Sequence, residues 1–214
     1  AKYWAGYVPP TFDAATHDVD VYRVAYRSTI PEQGNRPTVA YGLVAVPKGA
    51  SGALPLVSQQ HGALWLKESA PSQAFSWDKT STTPFKYGLS QQQLYGTCFE
   101  TRLGVAQFAG HGYALIAADS FGIGNSVEND SFFVKKSQQQ ACLDMHAASQ
   151  KLLQGLGIST NKLFLGALAA GSGLGGILIN GDVTNAQVFN VPIVASNTLA
   201  FVNYSTAQGA TLDL

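Results

Sequence analysis

The stretch "KLFLGALAAGSGLGG", residues 162–176, decides the fold. It opens on an apolar run, Leu163 to Leu165, of the length a buried strand needs. Alanines and glycines follow at once. Residues this small permit a sharp turn and a close approach of the next helix to the sheet. A buried strand breaking into such a turn belongs to a layered sheet-and-helix architecture.

Working back from that strand, "SQQQACLDMHAASQKLLQGLG", residues 137–157, is the clearest helix. Cys142, Met145, Ala148, Leu152 and Leu156 recur at three- or four-residue spacing, with Ser137 placed to cap the start and Gly157 to end it. "YALIAAD", 113–119, reads as a buried strand. "CFETRLGVAQFAGHG", 98–112, has helical spacing, with Phe99, Leu103, Ala106 and Phe108 on or near one side. Three further strands are predicted upstream, at 19–29, 38–47 and 55–62, separated by the turns "EQGNRP" and "KGASGAL". Residues 63–96 show little periodicity and read as a long loop or excursion. Its aromatics, Trp65, Phe75, Trp77, Phe85 and Tyr87, fit either a substrate pocket or packing that holds the loop down. Buried strands separated by helices predict an α/β domain spanning 1–214, with a mostly parallel sheet and helices on both faces.

Bulk properties bound the function. Apolar residues make up 46% of the 214 and charged ones 12%, with Lys plus Arg equal to Asp plus Glu at 13 each. A balanced chain without a basic patch is a poor nucleic-acid binder. No run of eighteen apolar residues exists, so no membrane span is expected. The sequence begins "AKYWAGYVPP", which fits a mature chain whose signal peptide has been removed. "NDS" at Asn129 and "NYS" at Asn203 match the glycosylation acceptor and favour a secreted protein, although such triplets also arise by chance. The two cysteines, Cys98 and Cys142, are expected as one disulfide, the alternative being two buried thiols. They are too few to hold a zinc ion alone, and no metal site is expected.

The ordered series "YGLVAVP" (41–47), "PLVSQQHG" (55–62), "FETRLGVAQFAGHGYALIAADSFGIGNS" (99–126), "ACLDMHAASQKLL" (141–153) and "NKLFLGALAAG" (161–171) resembles the α/β-hydrolase superfamily, in its secreted lipase and esterase branch. The resemblance covers about Val19 to Gly171 and fades after Gly176, so the fold could be incomplete at its C-terminal end. It implies a carboxylic-ester hydrolase acting on a small-molecule ester or lipid by nucleophilic acyl transfer, with no cofactor. In that chemistry an activated hydroxyl attacks the carbonyl and two N–H donors hold the oxyanion. The resemblance puts one donor in the loop at His61, from Gly62 or Ala63, with the His61 side chain itself structural. The other donor is the N–H following the nucleophile.

The nucleophile position is where the sequence departs from that pattern. The strained elbow requires small residues two positions either side of its serine. "ALAAG", 167–171, fits best; it puts Ala169 at the nucleophile position and makes Ala170 the donor. The other register, "AGSGL", centres on Ser172 and puts Leu174 where a small residue is wanted. The order implied is serine, acid, histidine, yet His17, His61, His111 and His146 all precede the elbow. Asp182 follows it too closely to be the expected acid, and Asp119 resembles the family's structural aspartate. Glu100 and Arg102 read as surface or capping charges. The base would then lie beyond Leu214, or the chain is a catalytically inactive member used for binding or assembly. "GSGLGG", 171–176, also fits a dinucleotide-binding glycine run, but it lies late in the chain and Asp182 is too near for a ribose contact. Oligomeric state is not encoded in any of these features.

Overall fold

The computed structural model describes residues 14–132 and 134–167. Its strands are β1 (Val19–Ile30), β2 (Arg36–Pro47), β3 (Gly52–Gln60), β4 (Pro84–Lys86), β5 (Leu89–Ser90), β6 (Ala114–Ala118) and β7 (Ile158–Ala167). Its helices are α1 (Gln91–Thr97), α2 (Phe99–Gln107) and α3 (Lys135–Gly155).

Alternation builds the first hairpin. In β1, Tyr22, Val24, Tyr26 and Ile30 turn to one core while Val21, Arg23 and Arg27 turn away. The turn after it reverses through Gly34 and Asn35, both at positive φ (66° and 60°). β2 then pairs with β1 along its whole length, Val19 opposite Pro47 and Ile30 opposite Arg36.

The main sheet has five strands in the order β1-β2-β6-β3-β7. β2 is antiparallel to both neighbours, while β3 is parallel to β6 and to β7. Four strands therefore run one way and β2 alone runs against them. The chain leaves β3 for β6 through α1 and α2, then crosses back over β3 to β7 through α3. Right-handed crossovers in opposite directions put their helices on opposite faces. The connections leaving β3 and β6 thus diverge, and a crevice opens between the carboxyl ends of these neighbouring strands.

The pleat divides the core accordingly. Val44, Val46, Leu56, Ala114 and Ile116 face α3 through Ala141, Met145 and Leu153. Leu43, Ala45, Leu115 and Ala117 face the other way, onto Cys98, Val105 and Ala109. α3 sits so close on β2 that a Cβ at Gly42 would stand 2.6 Å from Met145 Sδ and 2.7 Å from the Ala117 carbonyl oxygen.

Several local expectations are corrected. Ser137 does not cap α3: it lies inside the first turn, and its N–H and hydroxyl donate to the Glu32 carboxylate (3.3 and 2.5 Å). A carboxylate from the hairpin turn satisfies those donors and complements the helix dipole. The fully buried stripe of α3 is Ala141, Met145, Ser149 and Leu153, with Cys142, Ala148, Leu152 and Leu156 beside it. The helix expected over 98–112 is present as α2 but ends at Gln107, ahead of a 3-10 turn at Ala109–His111, and it buries Thr101, Gly104 and Val105 rather than Phe99, Leu103 and Ala106. Small residues win that face because α2 packs tightly: a Cβ at Gly104 would overlap the Gln59 amide. Residues 63–96 are more structured than a loop. They hold short 3-10 turns at Lys67–Ser69 and Pro71–Gln73, the ribbon β4–β5, and α1, which Ser90 and Gln93 start with a capping box.

The expected disulfide is absent: Cys98 and Cys142 are free thiols. Cys98 packs in the cluster under α2 and Cys142 against the cluster under α3, so the sheet stands between them. Cys98 Sγ donates to the Glu68 carbonyl (3.4 Å) and Cys142 Sγ to Gln60 Oε1 (2.6 Å), and burial raises the pKa of both thiols.

Candidate active site

β3 ends at Gln60, and the chain enters the crevice at His61 and Gly62. His61 Nδ1 lies 2.7 Å from the Gly62 carbonyl oxygen, and its Nε2 lies 3.2 Å from Ser120 Oγ. A carbonyl can only accept, so Nδ1 carries a proton. Burial lowers the pKa of this imidazole, against the opposing effects of the Gly62 hydrogen bond and the Asp130 charge. The neutral ring therefore accepts the Ser120 hydroxyl proton at Nε2.

The Gly62 N–H donates to both carboxylate oxygens of Glu100, at 3.0 and 3.3 Å. Glu100 stands in the first turn of α2, where a carboxylate also meets the helix dipole. Burial pushes its pKa up to about 7, and the Gly62 N–H pulls against that. Expected as a surface or capping charge, Glu100 instead lines a pocket of about 240 Å³ with His61, Ala63, Leu64 and Phe99. Of the two candidates for the one oxyanion donor implied in this loop, Gly62 is engaged by Glu100. Ala63 lines the pocket, and its N–H has no hydrogen-bond partner among the described residues.

Across the crevice β6 is followed directly by Asp119, which is 1% exposed. Its carboxylate accepts from the Ser72 N–H (2.9 Å) and the Ser72 hydroxyl (2.6 Å). Its own N–H donates to the Tyr41 carbonyl (2.9 Å). Burial raises its pKa to about 6, offset by the Ser72 bonds and by the Arg23 charge. Asp119 thus pins the strand end to the 63–96 segment, a structural role. Ser120, half-buried, is the next residue.

Ala169, Ala170 and Ser172 lie outside the described residues, as does Asn203. Asn129 is exposed on the loop before α3. His111 spans from Ala106 and Gln107 to Ala14 through backbone carbonyls and holds the chain after α2. His17 lies beside Thr16 and the Gly110 carbonyl, and His146 sits on α3 with a buried Nδ1 that has no partner among the described residues. Arg102 is no surface charge either: its guanidinium lies over the Tyr95 ring, 3.4 Å from the centroid, and donates to the Ala74 carbonyl (3.3 Å). Among the excursion aromatics Trp77 packs, its Nε1 donating to the Glu68 carbonyl (3.1 Å), whereas Trp65, Phe75, Phe85 and Tyr87 are exposed. Among the described residues no cluster of three His, Cys, Asp or Glu could hold a metal ion, and no helix is long and apolar enough to cross a membrane.

The sequence reading missed the contact between Ser120 and His61 and the one between Glu100 and Gly62. Only the crossover topology could have signalled them, since it brings the ends of β3 and β6 together.

Comparison of the structure with solved proteins finds clear likenesses. A Legionella pneumophila protein assigned as a hydrolase superposes with a TM-score of 0.55 at 21% identity, over 75% of this chain and 38% of its own. The rice cell wall degrading esterase LipA from Xanthomonas oryzae superposes with a TM-score of 0.53 at 22% identity, over 72% of this chain and 35% of its own. The chain thus spans less than two fifths of the length of either protein. No protein-family model matches the sequence. No curated protein matches it either.

Proposed function

We propose that this chain, which has the α/β-hydrolase fold, belongs to an extracytoplasmic carboxylic-ester hydrolase that cleaves small esters by acyl transfer to a serine. The observation that carries this reading is the pocket beside the end of β3. There Ala63 and the neutral His61 line a space of about 240 Å³. A loop N–H supplied beside a partly apolar pocket is what a developing oxyanion requires. The resemblance read in the sequence would put the nucleophile at the Ala169 position or at Ser172. The exposure of Asn129 supports the extracytoplasmic reading, because a glycosylation acceptor has to be reachable.

A second reading, a hydrolase fold kept for binding without turnover, is favoured by one observation: the Glu100 carboxylate holds the Gly62 N–H that an oxyanion would use. Short-chain nitrophenyl ester hydrolysis by the purified chain separates the two. Turnover together with a fluorophosphonate adduct on a serine supports the hydrolase. A folded chain with neither supports the binding protein.

A further inference from the structure

We propose that Ser120 and His61 form a nucleophile–base pair of their own, set for acyl transfer between the carboxyl ends of β3 and β6. The inference shares its substrate class, small esters, with the hydrolase reading and differs in the nucleophile. Ser120 Oγ stands 3.2 Å from His61 Nε2, within the reach of a general base. The Nδ1 bond to the Gly62 carbonyl (2.7 Å) fixes the tautomer, so the lone pair points at the serine. In a nucleophile–base–orienter arrangement the third place is usually a carboxylate; here a backbone carbonyl fills it. The chain around Ser120 is anchored. Asp119 is held by Ser72 and by the Tyr41 carbonyl, and the Ser120 carbonyl accepts from the Ile123 N–H at 3.3 Å. Ser120 and His61 are both half-buried. Ala63, two residues after His61, lines the pocket beside it.

The step balances with water as the only co-reactant. Ser120 Oγ bonds to the ester carbonyl carbon as its proton passes to His61 Nε2. The bond from that carbon to the alcohol oxygen breaks, and His61 returns the proton to the departing alkoxide. Water then attacks the acyl-serine, gives a proton to His61, and releases the carboxylic acid with Ser120 restored. The pocket that His61 lines has a volume of about 240 Å³, a size that suits short acyl groups.

The test is labelling of the folded chain with a fluorophosphonate, followed by proteolysis and mapping of the adduct by tandem mass spectrometry. The expected result is an adduct on Ser120, its loss in S120A, and labelling on the order of 100-fold slower in H61Q. An adduct on Ser172 with none on Ser120 overturns the pair and supports the elbow; labelling of neither serine in a folded chain overturns both. Ester turnover separates them again: loss of turnover in a folded S120A supports the pair, and full turnover in S120A overturns it. Should H61Q fail to fold, S120C gives an independent reading. Its introduced thiol is expected to react with iodoacetamide about tenfold faster at pH 7 than free cysteine, because His61 takes its proton. A rate no faster than free cysteine overturns the proposal.

Discussion

On the α3 face of the sheet, Val44, Leu56, Ile116, Met145 and Leu153 close a largely apolar core, and its buried polar side chains include the hydroxyls of Ser28, Ser58 and Ser149. On the α2 face a smaller apolar cluster shares its space with buried amides and carboxyls, among them Gln59, Glu68, Gln73 and Asp119. Gln59 Oε1 and Glu68 Oε2 there have no hydrogen-bond partner among the described residues. Burying such groups costs free energy that apolar packing does not. One face therefore supplies stability, and the other holds the polar groups that the crevice needs.

The sharpest way to break this division is to cut into the α3 face. Leu56→Ala removes a fully buried side chain at the centre of that cluster and should cost about 3 kcal/mol, read from the urea midpoint. Asp119→Ala is the matching cut on the other face. It leaves the Ser72 N–H and hydroxyl without their acceptor and should cost about 2 kcal/mol. Asp119→Asn, which keeps an acceptor, should cost less. If Asp119→Ala proves the more damaging, the ranking of the two faces is wrong.

The third expectation concerns pH and belongs to the α2 face alone. Burial raises the Asp119 pKa to about 6 and the Glu100 pKa to about 7, above their ordinary values of 3.8 and 4.5. Through these two groups the folded state holds more protons than the unfolded one, so their contribution to stability falls as pH rises, whereas His61, with its pKa lowered by burial, acts the opposite way below about pH 6.5. The contribution is full below about pH 4 and lost as pH passes through 6 and 7. Thermal melts at pH 6.5 and pH 8, above the His61 titration, should show the lower midpoint at pH 8, and Glu100→Gln should flatten that slope. An unchanged slope in Glu100→Gln would place the titration elsewhere.

The smallest effect is expected from the thiols. Denatured without reductant, the chain should take up two alkyl groups, at Cys98 and Cys142, and a reducing agent should leave the melting midpoint unmoved. A mass showing no alkylation would mean that the sheet does not separate them.

The fold was largely legible because its elements follow from period and punctuation. The alternation of β1, the apolar run of "YALIAAD" and the stripe of α3 each announce an element within one short window. What failed needed partners distant in sequence. Ser137 has the look of a cap, but Glu32 from the hairpin turn takes its place. The α2 stripe shifted because Gln59, on β3, leaves room only for Gly104. The cysteine pairing failed because windows do not report which face a helix covers. The site was legible to one loop, His61 to Ala63. Its partners Glu100 and Ser120 lie some forty and sixty residues further on, and only the crossing of chain connections brings them in.

The full-length register of β1 against β2 also bears on how the chain assembles. Those partners are joined by one short turn, whereas β3 and β7 pair across about a hundred residues, Gly52 with Ile158 and Gln60 with Ala167. Loop closure favours the near pair, so the hairpin is expected to be first to shield its amides during refolding. Pulsed hydrogen exchange should find β1 and β2 protected before β3 and β7. The crevice, which needs β3 and β6 side by side, would then be among the last features to form.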